Sequence, residues 1–300
     1  MTTKVVSSFD GPRVTVNDFI KDPLRIRDMV YNMLDQGFLA DAILRNGGIN
    51  QSGAVRFNES TPLYADDGAE IRAEFAEVPV ISTSVGDPRV VFVSERAVAI
   101  TVSDEEQRRQ VLDPVTRRLQ QAKNTMIQSW DDAFLNTLLT NAGISTVTAT
   151  AAWAGASVDI RRDINAARKA VETAVSAQGA QFGFAADTLV VNRTTKFDLL
   201  NSDQFNNPIY QGNLADENLK YTGKLPNQIM GLDVVVSPRV PTGKAIVCQR
   251  NVMGFISDEL PLRATPMYRD EPRKMWRADV QRASAIGIDQ PKAICVINNV

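Results

Sequence analysis

Between Pro114 and about Asn141 the apolar residues Val115, Leu119, Ala122, Met126, Trp130, Phe134 and Leu138 recur every three or four positions. This spacing predicts a single helix with one apolar stripe, roughly 40 Å long at ~1.5 Å per residue. Globular helices average about 11–12 residues, so a rod of this length dictates how everything else is arranged along it. It acts as a spine. Upstream, Ser103-Asp104-Glu105-Glu106 has the form of a capping box that opens a shorter helix, and Pro114 breaks that helix from the spine.

The rest of the chain reads as shorter elements. Asp22 followed by Pro23 pairs an N-cap with proline at the first helical position, and a helix is expected from Pro23 to about Gln36, stopped by Gly37. Residues 88–101 read as a strand pair or one long bent strand. A small strand is expected around Thr146–Thr150, then a second long helix capped by Ser157 and reaching about Gln178. Beyond Gly179 come a strand at Thr188–Val191, a helix at Thr194–Leu200 capped by Asn192, and short strands at 228–229, 233–236, 244–249 and 254–256. The segment from Met275 to Ile297 reads as a charged strand, a turn at Asp289-Gln290-Pro291 and a short apolar strand. Helices and strands in this order define an α+β fold.

Composition excludes more than it assigns. The 300 residues are 44% apolar, enough for a substantial core, and contain no histidine. That absence removes the commonest general base, every Ser-His or Cys-His dyad and most zinc or iron sites. No phosphate-binding loop, dinucleotide fingerprint, nucleophile elbow or Cys-x-x-Cys occurs. Asp66-Asp67 and Asp131-Asp132 are the paired carboxylates available for Mg²⁺ or acid–base work. The first pair lies in a turn that favours acids, and the second is placed on the polar side of the spine. The reading is therefore no enzyme, no catalytic residue, no cofactor and no metal. Cys248 and Cys295 sit in apolar runs and read as buried free thiols. No signal peptide or spanning segment is recognised, so manufacture in a cytoplasm and no membrane partner are expected.

Charge is distributed unevenly although the net is only -2. Between 56 and 77 there are six acids, Glu59, Asp66, Asp67, Glu70, Glu74 and Glu77, against Arg56 and Arg72. With Asp66-Asp67-Gly68 as a turn signal, this reads as an acidic hairpin with little apolar content, unable to pack by itself. Between 263 and 282 there are six bases, Arg263, Arg269, Arg273, Lys274, Arg277 and Arg282, against three acids. The pairs Arg108-Arg109, Arg117-Arg118 and Arg161-Arg162 read as solvated helix faces or interface salt bridges, or else as diffuse phosphate contacts.

Two segments carry a resemblance. One is Gly223-Lys224-Leu225-Pro226-Asn227-Gln228-Ile229-Met230-Gly231-Leu232-Asp233-Val234-Val235-Val236-Ser237, followed by Gly243-Lys244-Ala245-Ile246-Val247 and Met253-Gly254-Phe255. The other is Arg277 through Val296, with its Arg-x-x-x-x-Arg strand and closing Pro-x-Ala strand. Together with the order of parts, they resemble the major capsid proteins of tailed double-stranded-DNA phages, the Hong Kong 97 type of fold. The resemblance implies an N-terminal arm at 1–50, an extended loop at 51–87, a discontinuous peripheral domain at 88–145 and 262–288, and an axial domain at 146–261 and 289–300.

It also implies a homo-oligomer of pentamers and hexamers in an icosahedral virion shell, assembled in the host cytoplasm, with a portal protein, packaged double-stranded DNA held by non-specific contact, and a decoration protein as an optional partner. Some members weld subunits through a lysine on the extended loop. No lysine occurs here between Lys21 and Lys123, so a non-crosslinked shell is expected. The core pattern starts too early for a cleaved scaffolding segment, so a separate scaffolding protein is expected. The acids Glu59, Asp66, Asp67, Glu70, Glu74 and Glu77 of one subunit are expected to meet Arg269, Arg273, Lys274, Arg277 and Arg282 of another. The alternative on the same fold is an encapsulin-type bacterial compartment shell, distinguished by the absence of nucleic acid in its particles.

Overall fold

The computed structural model describes residues 37–300 apart from 63, 66, 70, 76, 79, 84, 109–113, 156–157, 177–178 and 203–227. The helix expected at 23–36, the Ser157 cap, Asp66 and Glu70 lie outside the described residues. The elements are α1 (Leu39–Ile43), β1 (Arg45–Ile49), β2 (Ala54–Glu59), β3 (Asp87–Phe92), β4 (Ser94–Ser103), α2 (Asp104–Arg108), α3 (Pro114–Thr140), β5 (Ser145–Thr148), α4 (Ile160–Glu172), β6 (Thr188–Val191), α5 (Arg193–Asn201), β7 (Gln228–Ile229), β8 (Leu232–Val236), β9 (Lys244–Cys248), β10 (Phe255–Ala264), β11 (Tyr268–Asp270), β12 (Met275–Gly287), a 3₁₀ turn (Pro291–Ala293) and β13 (Ile294–Asn298).

The spine α3 runs unbroken for 27 residues. Leu119, Met126, Trp130, Phe134 and Leu138 on its apolar stripe are almost completely buried. They face Ile100 and Val102 of β4 and Ala278 and Val280 of β12 in one continuous core. The capping box forms as its residue types require: Glu106 N donates to Ser103 Oγ and Ser103 N to Glu106 Oε2, both at 3.2 Å.

β12 organises the first sheet. One edge pairs with β4 from Met275 to Ser284, and the other pairs first with β11 and then, from Val280 to Gly287, with β10. Its first half alternates between half-buried and buried positions, and its last residues are buried throughout. That explains why a strand with charged residues at its start carries no charge across Ala283–Gly287.

The second sheet has the order β5-β13-β9-β6-β8-β7. Its central strands β6, β9 and β13 are buried on both faces, which is why they read as unbroken apolar runs. One face, with Val190, Ile246, Ile294 and Val296, joins the spine core. The other, with Leu189, Val247, Cys295 and Ile297, is covered by Ile160, Ile164, Ala167 and Val171 of α4. The closing strand β13 lies between β5 and β9, far in sequence from the first and near-adjacent to neither.

Three expectations are corrected. The second long helix is α4, only 13 residues, with Asp159 rather than Ser157 as N-cap, its side chain accepting from Arg162 N at 3.2 Å. It stops at Thr173, and Val175 instead bridges to Gln181. Residues 88–101 form two strands that do not pair with each other: β3 pairs with β2, and β4 with β12. Finally, β10 is ten residues long rather than three. Its Pro261 falls where the register with β12 shifts between Leu260 and Arg263, a place where a missing N–H is tolerated.

Candidate assembly surface

β2 and β3 form an antiparallel ribbon that closes at Glu59 and Asp87, and residues 60–86 span its open end. The root of this loop is tightly specified. Glu59, 8% exposed, accepts from Arg89 Nε at 2.7 Å and from Asn141 Nδ2 at the end of the spine at 2.8 Å. Ser60 N donates to the Asp289 carbonyl at 2.8 Å, and Gln290 Nε2 donates to the Thr61 carbonyl at 3.1 Å. A Cβ on Gly86 would stand 1.8 Å from the Glu59 carbonyl oxygen, so only glycine allows the two limbs to approach.

Beyond the root the loop has little contact with its own subunit. Asp67 accepts from Ser82 N at 3.1 Å and from the Ser82 hydroxyl, and these hydrogen bonds hold its carboxyl below the usual range. Glu74 and Glu77 are exposed and make no ion pair with the described residues. More telling are the apolar side chains. Phe75 is 99% exposed and Val80 92%, and Ile71, Val78, Ile81 and Val85 are also largely in solvent. The expectation of a loop with little apolar content is therefore corrected. The signal was present in the sequence: Ile71, Phe75, Val78, Val80 and Ile81 fall in a turn-rich stretch with neither helical nor strand periodicity, where no core could receive them.

The basic segment is partly engaged within the subunit. Arg269 grips Asp104 through both terminal nitrogens at 2.7 Å, donates from Nε to Glu271 at 2.8 Å and lies 5.4 Å from the Trp276 ring centroid; these bonds push its pKa up further. Arg277 Nε donates to Asp279 Oδ1 at 2.6 Å, and Tyr268 donates its hydroxyl to the other oxygen at 2.6 Å. Arg282 is 5% exposed and bound to Asp41 and Asp258. Arg263, Arg273 and Lys274 are exposed without an ion-pair partner among the described residues, the last two on the turn between β11 and β12.

Asp131 does not lie on the polar side of the spine. It is 4% exposed, and its Oδ1 accepts from Leu39 N at 2.9 Å, while Asp132 pairs with Arg239 through two bonds of 2.8 and 2.6 Å. Of the arginine pairs, Arg118 is bound to Glu106 and the Thr101 carbonyl, whereas Arg117 and Arg162 are exposed. Among the described residues no cluster of three or more His, Cys, Asp or Glu could hold a metal ion, and no helix is long and apolar enough to cross a membrane.

A long spine helix against a three-way-paired strand, a second sheet closed by the chain's last strand, and a projecting loop ribbon together define the Hong Kong 97 type of capsid fold. Solved structures share it at low identity. One from Microbacterium phage Oxtober96 aligns with a TM-score of 0.61 at 15% identity, covering 99% of this chain and 95% of that one. A virus-like particle from Pyrococcus furiosus gives 0.60 at 13%, covering 91% and 98%. The asymmetric unit of the bacteriophage PhiM1 mature capsid gives 0.55 at 14%, covering 87% and 86%. No curated protein matches the sequence. The family model described as phage capsid protein matches residues 86–297, and the chain belongs to that family. Its role is structural, as the major capsid protein of a phage head shell, and not enzymatic.

Proposed function

We propose that this capsid protein builds its shell from pentamers and hexamers in which the loop at 60–86 of one subunit lies on the body of a neighbour. The observation that carries the reading is the row of solvated apolar side chains at Ile71, Phe75, Val78, Val80 and Ile81. Isolated apolar residues are common on surfaces, but five so exposed between positions 71 and 81, on a segment without its own core, mark a surface to be covered. Covering a Phe, Ile or Val side chain contributes about 1.5–3 kcal/mol, against roughly 0–1 kcal/mol for an exposed ion pair. Apolar contact therefore supplies most of the adhesion. Glu74 and Glu77, drawn to the exposed cations Arg263, Arg273 and Lys274, set its register. Repetition around a closed shell multiplies these modest contacts.

The same proposal includes a four-part division into arm, loop, peripheral and axial regions, a shell without covalent cross-links, a separate scaffolding protein, a portal protein, and double-stranded DNA held inside through diffuse phosphate contacts by arginines such as Arg117 and Arg162. Decoration proteins are an optional addition. Electron microscopy of the purified full chain, expressed alone and with its phage's scaffolding protein, tests the assembly. Closed shells are expected, and a protein that stays monomeric in both settings would overturn it. Denaturing gels of mature particles test the absence of cross-links, where a covalent ladder would contradict it. Nucleic acid within particles purified from infected cells favours the phage head over a cargo compartment.

A further inference from the structure

The polar contact that seats α1 on the spine is unusual. The N-cap residue of α1, Phe38, offers no side-chain cap. The free N–H of Leu39 is instead capped from another element, by the carboxylate of Asp131, 92 residues away. Asp131 is buried beside Trp130, and both Phe38 and Trp130 lie under the Arg282 guanidinium, at 5.0 and 5.5 Å. Arg282 in turn holds Asp41 of α1. Among the described residues these two contacts, the Asn251 N–H that donates to the Ile43 carbonyl at 2.9 Å and the buried Leu39, Ala40 and Ile43 fasten α1 to the body.

The seat also has room beside it. An open pocket of about 540 Å³ lies beside α1, the spine and the end of β8, lined among others by Phe38, Ala42, Gln128, Asp131, Arg193 and Arg239. Asp131 is itself part of the lining of this pocket. The charged groups around the carboxylate are mixed in sign. Asp132 of the spine and Asp41 of α1 oppose its ionisation. Arg239, on the turn after β8, favours it, Arg193 at the start of α5 lines the same cavity, and Arg282 of β12 is engaged with Asp41.

We propose that the buried Asp131 carboxyl is a protonation-dependent clasp that sets how firmly α1 is seated on the spine. Burial is the largest influence on this group and, with the neighbouring acids, pushes its pKa up to about 6 from the ordinary 3.8. The closed seat therefore binds a proton more tightly than the opened, hydrated one. By linkage the seat is firmest at low pH, loosens as pH rises between about 3.8 and 6, and changes no further above that.

The test is hydrogen exchange of the full chain from pH 5 to 7.5, corrected for intrinsic rates, read at the amides of Leu39, Ala42 and Leu44. Protection is expected to fall about tenfold across this range, with its midpoint between about pH 5 and 6 and a plateau above about 6.5. In Asp131→Asn the corrected protection becomes independent of pH. Arg239 is partly exposed, so Arg239→Gln is safe for folding, and loss of its positive charge moves the midpoint upward. Flat protection in the unmodified chain, an unchanged profile in Asp131→Asn, or an unmoved midpoint in Arg239→Gln would each overturn the clasp.

Discussion

Arg282 of β12 donates from Nη1 to Asp41 Oδ2 at 2.8 Å and from Nη2 to Asp41 Oδ1 at 3.0 Å, joining residues 241 positions apart. The same guanidinium reaches Asp258 of β10 and lies over Phe38 and Trp130. One side chain thus ties α1, the first sheet and the spine together. Arg282→Ala leaves Asp41 and Asp258 without their counter-charge. Removing one partner of a buried pair costs about 3–5 kcal/mol, and the partial exposure of Asp41 places this case near the lower end. Arg282→Lys recovers only part of the loss, because a point charge cannot span two carboxylates and stack on rings. Calorimetric melting of the unassembled subunit measures both; a melting temperature unchanged in Arg282→Ala would refute the role.

The loop can be tested for which force holds it. Ile71→Ser with Phe75→Ser leaves subunit stability within about 0.5 kcal/mol, as expected for exposed sites, while abolishing shells in sedimentation and electron microscopy. Glu74→Lys with Glu77→Lys weakens assembly less, and the effect fades at high salt as screened contacts do. A charge-reversed variant more defective than the apolar one would reverse the order of the two contributions.

Gly86 supplies a test of the loop's root. Gly86→Ala places a methyl group into the Glu59 carbonyl, so the two limbs of the ribbon must separate. The Glu59 contacts with Arg89 and Asn141 are expected to loosen with them. Limited proteolysis is the measurement: cleavage within 60–86 should accelerate several-fold relative to the unmodified subunit, with the spine left intact.

The two thiols give a prediction about chemistry. Burial pushes Cys248 up to about 12 and Cys295 up to about 11, so both remain protonated near neutral pH and out of reach. In their native state they resist alkylating reagents, and both are modified once the chain is unfolded in denaturant. Mass spectrometry after a timed alkylation reads this directly. Rapid native labelling of either would mean that the second sheet opens more readily than its burial implies. The two also cannot join, since they lie on opposite faces of that sheet, in separate cores.

Much of the fold was legible because it is local. The spine needs only its apolar spacing, and α5 needs only Asn192, whose side chain accepts from Thr194 N. β6, β9 and β13 announce themselves as short unbroken apolar runs. The errors fall where distant partners decide. β10 was underestimated because Asp258, Glu259 and Arg263 mask its alternation, and its strand character is conferred by β1 and β12 on either side. The candidate surface was half legible. Its acids and bases could be counted, but counting could not separate the groups tied up at home, such as Glu59, Arg269 and Arg282, from those without an ion pair among the described residues, such as Glu74, Arg273 and Lys274.

The amino-acid sequence by itself determined the class of fold, the absence of histidine chemistry and the order of the parts. Those follow from residue type and spacing along one dimension. Tertiary structure alone decided which charges are available to a neighbour, that the loop presents apolar side chains to solvent, and that Asp131 is buried beneath α1 rather than solvated. Each of these depends on which surfaces remain uncovered once residues more than ninety positions apart have met, and hydrogen bonding and burial are settled only at that stage.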